Sequence, residues 1–218
     1  MKYYLDTEFI EGFHKPLFGK RRHHIDLISV AIVCEDGTQF YEISSEYNYD
    51  DADEWVKKNV ILPLYLETVH GDNRNRYEVH NFHKHYGRTN KEIALDIMLY
   101  MWRDAYSDWL DPISEFISRG KKYGWHVDSP IEFYGYYCDY DWVLICSLFG
   151  RMIDLPHDFP MYCRDLKQTL DEKQVIFGSI EANDIKKLPL YPKQSNEHSA
   201  LHDAKWNKQL HKFLEELD

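Results

Sequence analysis

No apolar run in the 218 residues approaches the ~20 needed to cross a bilayer as a helix, so a membrane-spanning role is not expected. The N-terminus lacks a basic patch leading into an apolar segment, so no secretory signal is visible. Cysteine is scarce, four residues in all, and Cys34, Cys138, Cys146 and Cys163 form no CxxC pair. That spacing argues against a structural zinc site and for reduced thiols in a cytoplasmic protein. Positive charge is in deficit: 26 Lys and Arg against 37 Asp and Glu leave a formal net charge of −11. Proteins that coat nucleic acid neutralise phosphates with their own cations, so a general DNA-coating function is disfavoured. An enzyme whose site is built from carboxylates and divalent ions escapes that objection, because there the metals carry the positive charge.

Strand signals fill the first 45 residues. YYLDTEFI (residues 3–10) reads as a buried strand and IDLISVAIV (25–33) as a second; an Asp-Gly turn then leads into QFYEIS (39–44), a hairpin signal. Between the first two lies GFHKPLFGKRRHH, expected as a loop over about 13–24. It clusters Lys15, Lys20, Arg21, Arg22, His23 and His24, either as a solvated loop or as a phosphate-contacting arm near Asp6 and Glu8. A helix is expected over 51–64, opened by acidic residues. The stretch 67–88 is polar, His-rich and aperiodic; His80, His83 and His85 read as surface residues of an insertion over about 65–90 rather than as a metal site. Helices are expected over 90–106 and 112–119. A strand at 131–137 leads into a helix over 138–150, a short last strand lies around 160–166, and a helix closes the chain at 198–217. A three-strand meander followed by alternating strands and helices implies an α/β mixed sheet in a single domain, 1–218, carrying the two insertions.

Carboxylates interrupt this pattern at telling places. Asp6 and Glu8 sit inside the first strand and, two apart, share a face. Side by side in apolar surroundings they repel each other and lose hydration. On the middle helix Asp141, Leu144, Ile145 and Leu148 share a stripe, with Asp139 better placed as an N-cap. On the terminal helix Asp203, Trp206, Leu210, Phe213 or Leu214, and Leu217 do the same. Four inward acids from three distant segments need compensation, which two divalent cations about 3.5–4 Å apart would supply. Oxygen donors favour Mg²⁺ or Mn²⁺ over zinc. His198 precedes Asp203 by five positions, about 140° round an ideal helix, so it belongs to the loop or first turn. An imidazole there suits general-base work near neutral pH; His202 is its rival.

In this order, Asp6-x-Glu8, Tyr140-Asp141 and His198-x₄-Asp203 resemble the DEDDh branch of the DnaQ-like 3′→5′ exonucleases. The segments YYLDTEFIEG, IDLISVAIVCEDG and YDWVLICSLFG are similar to the polyadenylate-specific 3′-exoribonuclease AS family. The resemblance covers residues 1–12, 25 to about 62 and about 131–217. It implies a ribonuclease H-like fold: a five-stranded mixed sheet, antiparallel meander plus parallel strands, flanked by helices. It further implies that Asp6, Glu8, Asp141 and Asp203 bind two Mg²⁺ ions, with Mn²⁺ able to substitute, and that His198 deprotonates the attacking water. The substrate would be the 3′ end of single-stranded RNA, rich in adenylate, the products 5′-monophosphate nucleotides, and the assembly a homodimer. Phe9, beside the metal strand, would contact the terminal sugar or base or pack in the core, and Thr7 is taken as a further substrate contact. The two insertions depart from compact members, and Trp142 stands where a histidine can follow the motif aspartate; these bear on substrate preference and on any dimer interface. Three rival functions remain: an exonuclease on single-stranded DNA or short oligonucleotides, a catalytically silent nucleic-acid-binding module of the same fold, and a His-rich metal-binding or interaction protein built around residues 80–85. The last leaves the four acids unexplained.

Overall fold

Apolar alternation in the opening segment becomes β1, Lys2–His14, in a computed structural model that describes residues 1–14, 20, 22–107, 112–124, 130–181 and 184–217. β1 pairs antiparallel with β2 (Arg22–Cys34), which turns through Asp36-Gly37 into β3 (Gln39–Ile43). Gly37 takes φ +96° in that turn, a backbone that favours glycine. β4 (Glu132–Gly135) runs parallel to β1, and the two-residue β5 (Arg164–Asp165) parallel to β4. The order β3-β2-β1-β4-β5 is the expected mixed sheet, and with helices on both faces it is consistent with a ribonuclease H-like fold.

The longer helical elements among the described residues flank the sheet. α1 is assembled from consecutive pieces, Glu54–Val56, Lys57–Ile61 and Leu62–Thr68, the middle one with π geometry. α2 is Asn90–Met101, started by a Thr89/Glu92 capping box, and α3 is Ile113–Tyr123. α4 is Asp139–Phe149, α5 Leu166–Glu181 and α6 Ala200–Glu215. Odd positions of β1 (Tyr3, Leu5) pack with α2, α3 and α4, whereas Tyr4 packs with α5 and α6. Among the described residues no helix is long and apolar enough to cross a membrane.

Two expectations need correction. Residues 13–24 are not a loop throughout: β1 and β2 continue as a ribbon that pairs Gly12 with His24, Phe13 with His23 and His14 with Arg22. Cross-strand contacts hold it, with the Phe13 ring edge-on to His23 at 5.6 Å and a 2.8 Å His23–Glu11 pair, an arrangement that polar composition conceals. Of the expected basic arm, Lys15, Arg21 and the side chain of Arg22 lie outside the described residues. The second correction concerns His83. It is buried, not at the surface, stacked on Tyr47 with ring centroids 4.0 Å apart, because Phe82 and His83 turn inward onto the core beneath α1. His80 and His85 are exposed and contact other rings, Tyr49 and Tyr77, so the three histidines do not converge.

A bulge interrupts β1–β2 beside Glu8. Glu8 faces Ser29, but Phe9 faces Leu27. The extra residue, Ile28, is fully buried in the cluster under α1 with Ile10, Val60 and Ile61. Bulges bend strands and re-aim side chains; this one fastens α1 alongside the two strand acids.

Candidate active site

Asp6 and Glu8 lie on the face of β1 that meets α6. Asp203, in the first turn of α6, shares its inward stripe with Trp206, Leu210, Phe213 and Leu214, all buried. Carboxylate oxygens of Asp6, Glu8 and Asp203 fall within 4.8 Å of one another. Asp141 arrives from the other side. β4 ends at Gly135, which leaves the adjoining edge of β1 open, and the first turn of α4 fills the gap. There Asp141 Oδ1 accepts from the backbone N–H of Thr7 at 2.8 Å and from its hydroxyl at 2.6 Å. Asp139 is exposed within the first turn, and Cys138 takes the cap position without a side-chain bond. All four acids, with His198, Thr7 and Phe9, line one cleft of about 610 Å³.

Asp203 is held on both oxygens. Gln194 Nε2 donates to Oδ1 at 2.6 Å, and the His198 backbone N–H donates to Oδ2 at 2.9 Å. His198 sits before the helix, as its spacing predicts, with φ +68°. Its ring meets Trp55 of α1 edge to face, centroids 4.7 Å apart at 80°. His202 turns its Nδ1 to Ser199 Oγ at 3.0 Å. Thr7 is buried, its hydroxyl engaged with Asp141. Phe9 packs against the core and also tilts against Tyr140 at 5.7 Å on the cleft wall.

Electrostatically the site is under tension. Burial, and then the charges of Asp141, Glu8 and Asp203, hold the Asp6 carboxyl well above its ordinary range. Burial followed by Asp203 and Asp141 pushes Glu8 up to about 8. Asp141 is raised to about 6 by burial, against the opposing hydrogen bonds from Thr7. Burial raises Asp203 too, opposed by Gln194 and the His198 amide. Among the described residues no lysine or arginine forms an ion pair with any of the four. Hard oxygen donors gathered without a protein cation are the donor chemistry that Mg²⁺ and Mn²⁺ take, so the residues fit such ions.

Several cleft residues escape sequence reasoning. Trp55 belongs to a segment far from the acid motifs; Gln194 lies only nine residues before Asp203, but in an aperiodic stretch whose spacing does not tie it to that acid. Asn207 could have been found: four residues after Asp203 on the same stripe, it is buried and donates to Leu5 O at 2.9 Å. Tyr136 and Tyr137 also line the cleft, following directly from β4.

No protein-family model matches the chain. By sequence it is similar to two proteins from two strains of Mycobacterium tuberculosis, each named 3′-5′ exoribonuclease. Identity is 27% over 175 residues, which span 79% of this chain and 76% of each relative.

Proposed function

We propose that the protein is a divalent-metal-dependent 3′→5′ exoribonuclease acting on single-stranded RNA and releasing 5′-monophosphate nucleotides. The observation that carries this reading is the meeting of Asp6, Glu8, Asp141 and Asp203 in one cleft, with no lysine or arginine among the described residues paired to them. Similarity to relatives named 3′-5′ exoribonuclease supports the general activity. A preference for adenylate-rich RNA and a homodimeric assembly belong to the same proposal through the family resemblance, and a cytoplasmic location through the unpaired cysteine spacing.

Asp6, Glu8, Asp141 and Asp203 would hold the ions, which when bound supply charge stabilisation at the entering and leaving oxygens of an in-line displacement. Thr7 fixes Asp141, while Gln194 and the His198 amide fix Asp203, so two of the acids are set before substrate arrives. His198 takes the proton of the attacking water on a ring nitrogen, the role suited to an imidazole near neutral pH. Phe9 with Tyr140, and Tyr136 with Tyr137, present aromatic faces along the cleft. Such faces stack on unpaired bases with little regard to sequence, which favours a single-stranded end over a duplex.

Oligo(A), mixed-sequence RNA and single-stranded DNA of equal length, incubated with Mg²⁺ and separately with chelator, test the reading. Stepwise loss of RNA from the 3′ end with Mg²⁺ is expected, absent with chelator and absent in a folded Asp6→Asn variant. Binding without hydrolysis would favour the silent module, and faster loss of DNA would move the substrate class.

A further inference from the structure

We propose that Trp55 is a positioning residue for His198, its indole setting the orientation of the imidazole over the acidic cleft. This rests on the reading of His198 as the base. The backbone of His198 is in the left-handed region at φ +68°, which is uncommon for a residue with a side chain. Its amide is committed to Asp203. Among the described residues the ring itself makes no hydrogen bond, and its aromatic contact is with Trp55, centroids 4.7 Å apart and planes at 80°. A base imidazole is ordinarily oriented by a carboxylate or carbonyl on its second nitrogen. Here an aromatic edge-to-face contact, a geometry that ring quadrupoles favour, stands in that place.

The rest of Trp55 suits the role. Its segment is fastened from both sides: Asp53 Oδ1 accepts from Val56 N–H at 2.8 Å, and Asn59 Nδ2 donates to Trp55 O at 2.9 Å. One turn on, Val60 and Ile61 are buried in the core that also contains Ile28 of the β2 bulge. Yet Trp55 is 52% exposed, so core packing does not account for it. A rigid support carries a large ring whose aromatic partner among the described residues is His198.

Steady-state trimming of 3′-labelled oligo(A) with Mg²⁺, measured for Trp55→Ala, Trp55→Phe, His198→Ala and the double variant, tests this. Trp55→Ala is expected to lower kcat about three- to ten-fold with KM changed less than about two-fold. Trp55→Phe should restore most of the rate, and the exposed position predicts an unchanged melting temperature. In the His198→Ala background, Trp55→Ala should produce no further loss, since both act through one ring. A raised KM with unchanged kcat would make Trp55 a substrate contact instead, and additive losses would also overturn the proposal. A His198→Ala enzyme as fast as the parent would remove the base assignment itself, and this role with it. That outcome is distinct from losing all trimming activity, which bears on the functional reading.

Discussion

Glu8 shows how the site charges itself. Its carboxyl is pushed up to about 8 by burial and then by Asp203 and Asp141, so the folded protein keeps a proton that the unfolded chain releases near its ordinary value of about 4.3. Where the native state binds more protons, stability falls as pH rises. Without metal, the contribution of Glu8 is therefore fully present below about pH 4.3 and is lost as pH climbs through about 8. His83 acts in the opposite sense in a lower window. Burial lowers it to about 4, so stability is lost as pH falls from its ordinary value of about 6.5 toward 4. Between pH 6.5 and 8 the acids dominate. Thermal melting with and without Mn²⁺ is expected to give a larger metal-induced rise at pH 8 than at pH 6.5; an equal rise at both would count against ion binding at these acids. Thr7→Val removes the 2.6 Å hydroxyl bond to Asp141 while keeping the shape. A charge-assisted bond of this kind is worth roughly 1.5–3 kcal/mol, so trimming should fall about ten-fold or more, Thr7→Ser should recover it, and an unimpaired Thr7→Val enzyme would deny the anchor. Alternation in β1 and three- and four-residue spacing in α4 and α6 are enough to turn Asp6, Glu8, Asp141 and Asp203 inward. The bonds made by Thr7 and Gln194 depend on how a helix end meets a strand edge and how a loop returns, which periodicity does not encode.

The β1–β2 ribbon and the segment 69–89 are where elements differ from their sequence signals. The strand cores are evident from their Val, Ile and Leu alternation. Their extension is not, because residues 11–14 and 22–24 are, Phe13 apart, polar or small and are paired through cross-strand contacts. The segment 69–89 lacks a period because it is built from turns and two short helical pieces, Gly71–Asn75 and His83–Tyr86, and it is tied to the sheet by backbone bonds rather than by a repeating face. Arg88 N–H donates to Ile43 O at 2.8 Å, and Ser45 N–H to Arg88 O at 2.8 Å. Gly87 makes that approach possible: a Cβ there would lie 2.6 Å from His83 O and 2.9 Å from Ile43 O, both backbone atoms that cannot swing aside. Gly87→Ala is therefore expected to destabilise the protein by about 1–3 kcal/mol, seen as a lower denaturant midpoint. An unchanged midpoint would show that this segment yields freely.

On the scale of the whole molecule, the topology explains how one cleft collects residues from the beginning, middle and end of the chain. β1 is central in the order β3-β2-β1-β4-β5; α6 covers one of its faces, and α4 begins where its parallel neighbour stops. Asp6, Asp141 and Asp203 therefore meet although they are distant in sequence. The mixed sheet follows from the succession of strands and helices, while the joining of β1 to the end of β4 is a tertiary event visible only in three dimensions. The net charge of −11 fits this arrangement, since phosphate would be met through ions held by carboxylates rather than through a basic surface. Anomalous diffraction from crystals soaked in Mn²⁺ tests that claim most directly. Manganese peaks bounded by Asp6, Glu8, Asp141 and Asp203 are predicted; a cleft without manganese, its acids paired instead with lysine or arginine, would contradict it.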